Sequence, residues 1–139
     1  MRDFNYTGNT VFDIFPWPQP PTVDQVKAVA EAAVSLRTLR REIMAANGWC
    51  IRDLYRTLET PGTNRLRDAH TALDFAVREA YDMKEGEDTL AFLLAQNLEL
   101  ADKEAKGEQI TPPSLPVPAG EAAEFMSEDC VTVREGERD

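Results

Sequence analysis

The sequence contains very few residues of the types that bind metal ions or form disulfides. His70 is its single histidine, and its two cysteines, Cys50 and Cys130, lie far apart. A zinc site needs several histidine or cysteine ligands, and disulfide scaffolds are dense in cysteine. We therefore expect no metal ion, and two free thiols in a reducing compartment.

Long apolar runs and glycine-rich loops are also missing. No apolar stretch approaches the roughly 18 residues that a membrane span needs. Residues 1–5 do not have the apolar character of a signal peptide. The seven glycines are scattered, so no Gly-x-Gly loop is available to hold a nucleotide phosphate. We expect a cytoplasmic protein that has no membrane partner.

Charge is abundant but unevenly distributed. The chain has a net charge of −10, yet residues 36–67 contain no lysine, seven arginines and only three acidic residues. Arginine suits bidentate contacts with phosphate, so the segment is a candidate polyanion-binding region. Pairing with the acidic helices that follow is the alternative, and both stay open. The candidate phosphate-binding residues are Arg37, Arg40, Arg41, Arg52, Arg56, Arg65 and Arg67.

Apolar spacing and capping residues predict a mainly α fold, a small bundle of three to four helices. Thr22 and Gln25 have the capping-box spacing at the start of the first helix, and Gly48 follows its end. Further helices are predicted from about Cys50 to Leu58, from about Asn64 to Tyr81, and from the N-cap Asp88 to Lys106.

The chain divides into three parts. Residues 1–21 are predicted to form an extended, β-prone and proline-rich strap, and Phe15 and Trp17 are expected to fix it to the core. Residues 22–107 form the helical domain. Residues 108–139 form a proline-rich linker and an acidic tail. In an isolated fragment, exposed Phe15 and Trp17 would favour a homodimer.

Periodicity assigns an inward face to each long helix. Phe75 falls on the outer side of the third helix and would need another surface to cover it. Asn97 falls in the middle of the inward face of the last helix, so we interpret it as a buried amide. The predicted inward residues are Val29, Ala32, Leu36, Leu39, Ile43 and Ala46, then Leu66, Ala69, Leu73, Val77 and Ala80, and finally Leu90, Leu93, Leu94, Leu98 and Ala101.

His70 and Asp74 lie one turn apart and are the only candidates for an acid–base pair. Catalysis also requires a cleft and a nucleophile, and the sequence indicates neither. We therefore interpret His70, Asp74 and Asn97 as structural polar residues, with a contact between Asn97 and the His70–Asp74 edge as a hypothesis. No catalytic residue is predicted.

Three stretches carry a family resemblance, in the order residues 9–18 (NTVFDIFPWP), residues 66–81 (LRDAHTALDFAVREAY) and residues 90–99 (LAFLLAQNLE). Together they resemble the end of the target-recognition domain and the C-terminal helical domain of MmeI-like DNA methyltransferases and restriction-modification proteins. The resemblance covers residues 9 to about 110. It departs from the family pattern at Phe75, where a basic residue is common, and at Arg56-Thr57, where an Asp-Pro pair is common.

The resemblance implies a non-catalytic C-terminal piece of an adenine-N6 DNA methyltransferase. In such proteins the S-adenosylmethionine loop and the catalytic motif lie N-terminal to this region, so the cofactor belongs to the parent and none is expected here. The implied partners are DNA, reached through the parent, and the parent's catalytic and recognition domains. The helices would either hold DNA phosphates or pack the recognition domain. A free-standing acidic helical interaction module is the alternative.

Overall fold

The computed structural model describes residues 15–112, 115, 117–118 and 120–126. Within these residues the fold is mainly helical, as predicted, and no strand occurs. Residues 1–14 of the predicted strap and residues 127–139 of the predicted acidic tail lie outside the described part of the chain. The helices are α1 (Val23–Asn47), α2 (Ile51–Arg56), α3 (Arg65–Ala80) and α4 (Thr89–Ala105), with 3₁₀ turns at Thr57–Glu59 and Ala122–Phe125.

Side-chain caps set the helix starts where the sequence predicts them. Thr22 and Gln25 form a reciprocal capping box at α1, and the Asp88 carboxylate accepts the Ala91 N–H at the start of α4. Asn64 caps α3 by accepting from the N–H groups of its first turn. Gly48 ends α1 with a φ of 64°, a left-handed conformation that favours glycine. The predicted bounds are therefore confirmed to within a few residues.

The core lies where α1, α2 and α3 meet. Leu36, Leu54 and Leu66 contribute one buried side chain from each of these helices. Helices α1 and α3 run antiparallel: the Gln25 side chain near the start of α1 donates to the Glu79 carbonyl near the end of α3. Most apolar residues predicted to face inward on α1 and α3 are at least half-buried, but Ala46 and Val77 are exposed and Ala76 is buried instead.

Helix α4 turns a different face to the rest of the protein from the one predicted. Leu100 is buried and Leu93 is half-buried, whereas Leu90, Leu94, Leu98 and Ala101 are exposed. The prediction is wrong for these four residues because residues 89–98 contain no charged side chain to mark an outer face.

Residues 15–21 lie against the helical part. The Trp17 carbonyl accepts a hydrogen bond of 2.9 Å from Nε2 of Gln96 on α4, and Pro16 is buried. The Gln19 side chain exchanges two hydrogen bonds with the backbone of Thr111, which follows α4. No described helix is both long enough and apolar enough to cross a bilayer.

Candidate nucleic-acid interface

The basic segment flanks the core leucines in sequence. Leu36 precedes Arg37, Leu54 lies between Arg52 and Arg56, and Leu66 lies between Arg65 and Arg67. The three leucines pack together, and the arginines beside them in sequence belong to three separate helices. Arg52 and Arg56 lie two residues from Leu54, on the side of α2 that faces away from the core.

Tyr55 links the three helices through polar contacts. The Arg40 guanidinium lies 5.7 Å from the centroid of the Tyr55 ring, a cation–π arrangement. The Tyr55 hydroxyl lies 2.9 Å from Nε2 of His70, and the two rings meet edge to face. His70 is therefore hydrogen-bonded, to a partner that helical spacing did not indicate, since Tyr55 comes from a different helix.

The side chains of three candidate arginines are exposed and form no hydrogen bond or ion pair with described residues. These are Arg52, Arg56 and Arg65. Arg37 is half-buried and Arg41 is exposed, and each has an interaction partner of its own.

One carboxylate of the basic segment is already engaged. The Cys50 thiol and backbone N–H donate to Asp53, and these bonds, with a smaller effect of Arg56, hold the pKa of Asp53 below its ordinary 3.8. Asp53 therefore stays ionised at neutral pH. Its carboxylate caps the start of α2 and offsets part of the nearby positive charge. Cys50 itself is free and exposed, and Cys130 lies outside the described residues.

Arg67 is placed differently from the other candidates. Its guanidinium donates to the backbone carbonyls of Gly62 at 2.7 Å, Leu58 at 2.8 Å and Thr60 at 3.3 Å. These bonds provide donors for three carbonyl groups of the loop between α2 and α3, and they use both terminal nitrogens of the Arg67 side chain. The donors of Arg67 are therefore directed at protein rather than at solvent.

Asp74 and Asn97 do not lie where we expected. Both residues are exposed, and neither side chain forms a hydrogen bond with the described residues. The predicted contact of Asn97 with the His70–Asp74 edge is therefore not formed. The interpretation of Asn97 as a buried amide is wrong because α4 turns a different face to the rest of the protein from the one predicted. Gln96, one residue earlier, is the amide that makes the tertiary hydrogen bond, to Trp17.

The protein also has an apolar cleft of about 370 Å³ between residues 15–18, α1, α3 and α4. Phe15, Trp17, Phe92 and Leu93 are among its lining residues. Tyr81 is its titratable acid, and burial raises the pKa of that phenol above 10.0. A phenol that stays protonated is a poor general base near neutral pH, and no group of potential metal ligands occurs among the described residues.

Comparisons with known proteins do not add a relative. No family model matches the chain, and neither the curated proteins nor the solved structures contain a match.

Proposed function

We propose that this chain is a non-catalytic helical module of an adenine-N6 DNA methyltransferase of the restriction-modification type, and that it assists DNA binding. Its partners are then DNA and the catalytic and recognition domains of the parent protein. S-adenosylmethionine is the parent's cofactor and is not bound by this chain. The proposal places the protein in the cytoplasm and rests on the sequence resemblance over residues 9 to about 110.

The observation that carries the DNA-binding role is the exposure of Arg52, Arg56 and Arg65, which flank the core residues Leu54 and Leu66 in sequence. None of the three has a protein carboxylate within ion-pairing distance among the described residues. Guanidinium groups that are not committed to protein are available for phosphate oxygens. Arg67, in contrast, donates to the loop that precedes Arg65, and the Arg40 guanidinium lies over the Tyr55 ring.

Phosphate binding of this kind has a defined salt dependence. Each phosphate neutralised by a cation lowers log K by about 0.9 for each unit of log salt. With three arginine contacts, fluorescence anisotropy on a labelled duplex at several salt concentrations should give a slope of about −3. Sequence should have little effect on the affinity because phosphate contacts do not distinguish bases.

Single substitutions separate these arginines from general electrostatics. Arg52→Ala, Arg56→Ala and Arg65→Ala should each reduce the magnitude of the slope by about 1. Lys84→Ala is the matched control, because Lys84 is exposed and carries the same charge outside the basic segment. An absence of binding even at the lowest salt, or an equal effect of the control, would reject the DNA-binding role.

A protein-interaction role is the second candidate, whether as a scaffold within the parent or as a free-standing acidic module. The exposed leucines of α4 favour it, since large uncovered apolar side chains on one face mark protein contacts. In that case the salt series shows no DNA binding.

A further inference from the structure

The outer face of α4 is apolar and is not covered by the described residues. Leu90, Leu94 and Leu98 are 79%, 60% and 63% exposed, and Asn97 and Ala101 between and beyond them are exposed as well. Residues three and four apart share one side of a helix, so these side chains form a single stripe. We call this stripe, with Ala105 at its end, the α4 outer face.

We propose that the α4 outer face is a homodimer interface, on which the α4 helix of a second copy packs antiparallel to the first. The proposal is independent of DNA binding. It also differs from a dimer through Phe15 and Trp17, because Trp17 is half-buried and its carbonyl is bonded to Gln96.

The residue pattern is complementary to itself under a two-fold rotation. An axis that passes between Asn97 and Leu98 places Leu90 against Ala105 and Leu94 against Ala101. Two of the three leucines then meet an alanine, as close packing between helices requires. Asn97 lies beside its own symmetry mate, and an amide can both donate to and accept from another amide. A single polar residue in such a stripe fixes the register.

Charge favours this face and this orientation. The chain has a net charge of −10, so most approaches of a second copy are repulsive. The α4 outer face carries no charge from Thr89 to Leu98. Lys106 near the end of α4 is ion-paired with Asp102 of its own helix. A parallel pair would bring the acidic residues Glu87 and Asp88 of both copies together, and the antiparallel arrangement avoids that contact.

The contact area sets the expected strength. A helix of 17 residues is about 25 Å long, and one such helix pair buries about 1,000 Å² in total. This area lies below the usual range of stable specific interfaces, so we expect a weak dimer that forms at micromolar or higher concentrations.

Sedimentation equilibrium of the full chain over a concentration series tests the dimer. The unaltered chain should change from monomer to dimer across the micromolar range, and Leu94→Glu should stay monomeric at every concentration. Phe75→Glu is the matched control: Phe75 is 65% exposed but lies on α3, so this variant should dimerise normally. Circular dichroism of both variants should show unchanged helix content, because both sites are exposed.

Disulfide trapping tests the orientation in a Cys50→Ser, Cys130→Ser background. An equimolar mixture of Leu90→Cys and Ala105→Cys chains should form a covalent heterodimer, and Leu90→Cys alone should not form a covalent dimer. A monomer at all concentrations would overturn the proposal and leave the face for a different protein. A dimer that survives Leu94→Glu, or one trapped by Leu90→Cys alone, would overturn it equally.

Discussion

Arg67 and Arg78 lie near opposite ends of α3, and each is bonded to the loop at its own end. Arg67 donates to three carbonyls of the loop before the helix. Arg78 donates to the carbonyls of Lys84 and Glu87 and to the hydroxyl of Thr89 in the segment after it. These two arginines of α3 therefore hold the adjacent loops in place through hydrogen bonds.

Arg67→Ala should destabilise the fold, because three backbone carbonyls lose their charged donor. The loop is partly exposed and water replaces some of these bonds, so we expect a loss of about 1–2 kcal/mol in the free energy of unfolding, measured with urea. Arg65→Ala is the control, two residues away and exposed, and should change stability by less than about 0.5 kcal/mol. Equal effects of the two substitutions would contradict this division of roles.

Sequence could not separate Arg65 from Arg67. Both are arginines beside Leu66 at the start of one helix, and each fits a phosphate-binding pattern equally well. The difference arises from the path of residues 58–62, whose carbonyls turn towards Arg67. Such loop geometry depends on tertiary packing, which composition and spacing do not report. His70 illustrates the same limit, since its partner Tyr55 comes from another helix.

Helix boundaries, in contrast, follow from local chemistry. The cap at Thr22, the cap at Asp88 and the left-handed glycine at Gly48 are each explained by residues within one turn, and each was predicted from sequence. Gln25 also makes tertiary hydrogen bonds that the sequence did not predict. Its Oε1 accepts the Thr22 N–H at 2.7 Å, while its Nε2 donates to the Glu79 carbonyl and to Asp82. One side chain thereby caps α1 and joins it to the end of α3.

Gln25→Glu separates these two functions. The variant keeps an oxygen for the Thr22 N–H but loses the donor to Glu79 and places a carboxylate beside Asp82. We expect a loss of about 1 kcal/mol at neutral pH, because the site is partly exposed. The acidic neighbour raises the pKa of the new carboxyl in the folded state, so the loss should shrink as pH falls through that pKa.

Thermal or urea unfolding at several pH values measures this effect. Gln25→Ala is the control, since it lacks a titrating group and its loss should not show that recovery at low pH. A loss in Gln25→Glu that stays constant across the same pH range would show that repulsion between the new carboxylate and Asp82 contributes little.

The orientation of α4 could not be predicted because its first ten residues, 89–98, carry no charge. Leucines at positions 90, 93, 94 and 98 fit more than one inward face, and periodicity selected a face on which only Leu93 is half-buried. The orientation is set by contacts with other parts of the chain. Phe92 packs edge to face on Tyr81, with ring centroids 6.2 Å apart, and Gln96 binds Trp17. A helical segment that is apolar all round, as residues 89–98 are, is expected to be covered on both sides.

At the scale of the whole molecule, burial is concentrated in α1, α2 and α3. Their cluster includes Leu54 and Leu66, each only 1% exposed, whereas Leu100 is the single buried residue of α4. Segments with few buried contacts open at lower free energy than the rest of a fold. The protein should therefore open in two steps of different free energy, with α4 first.

Native-state hydrogen exchange of dilute protein tests this order. Backbone amides in the middle of α4 should exchange faster than those around Leu36 and Leu66, because α4 is held mainly by Phe92, Gln96 and Leu100. Gln96→Ala should speed the exchange of α4 further, by removing its bond to Trp17, and should leave α1 and α3 unchanged. Uniform protection across all four helices would instead mean that α4 unfolds only with the core, and that its exposed leucines do not mark it as a weakly held helix.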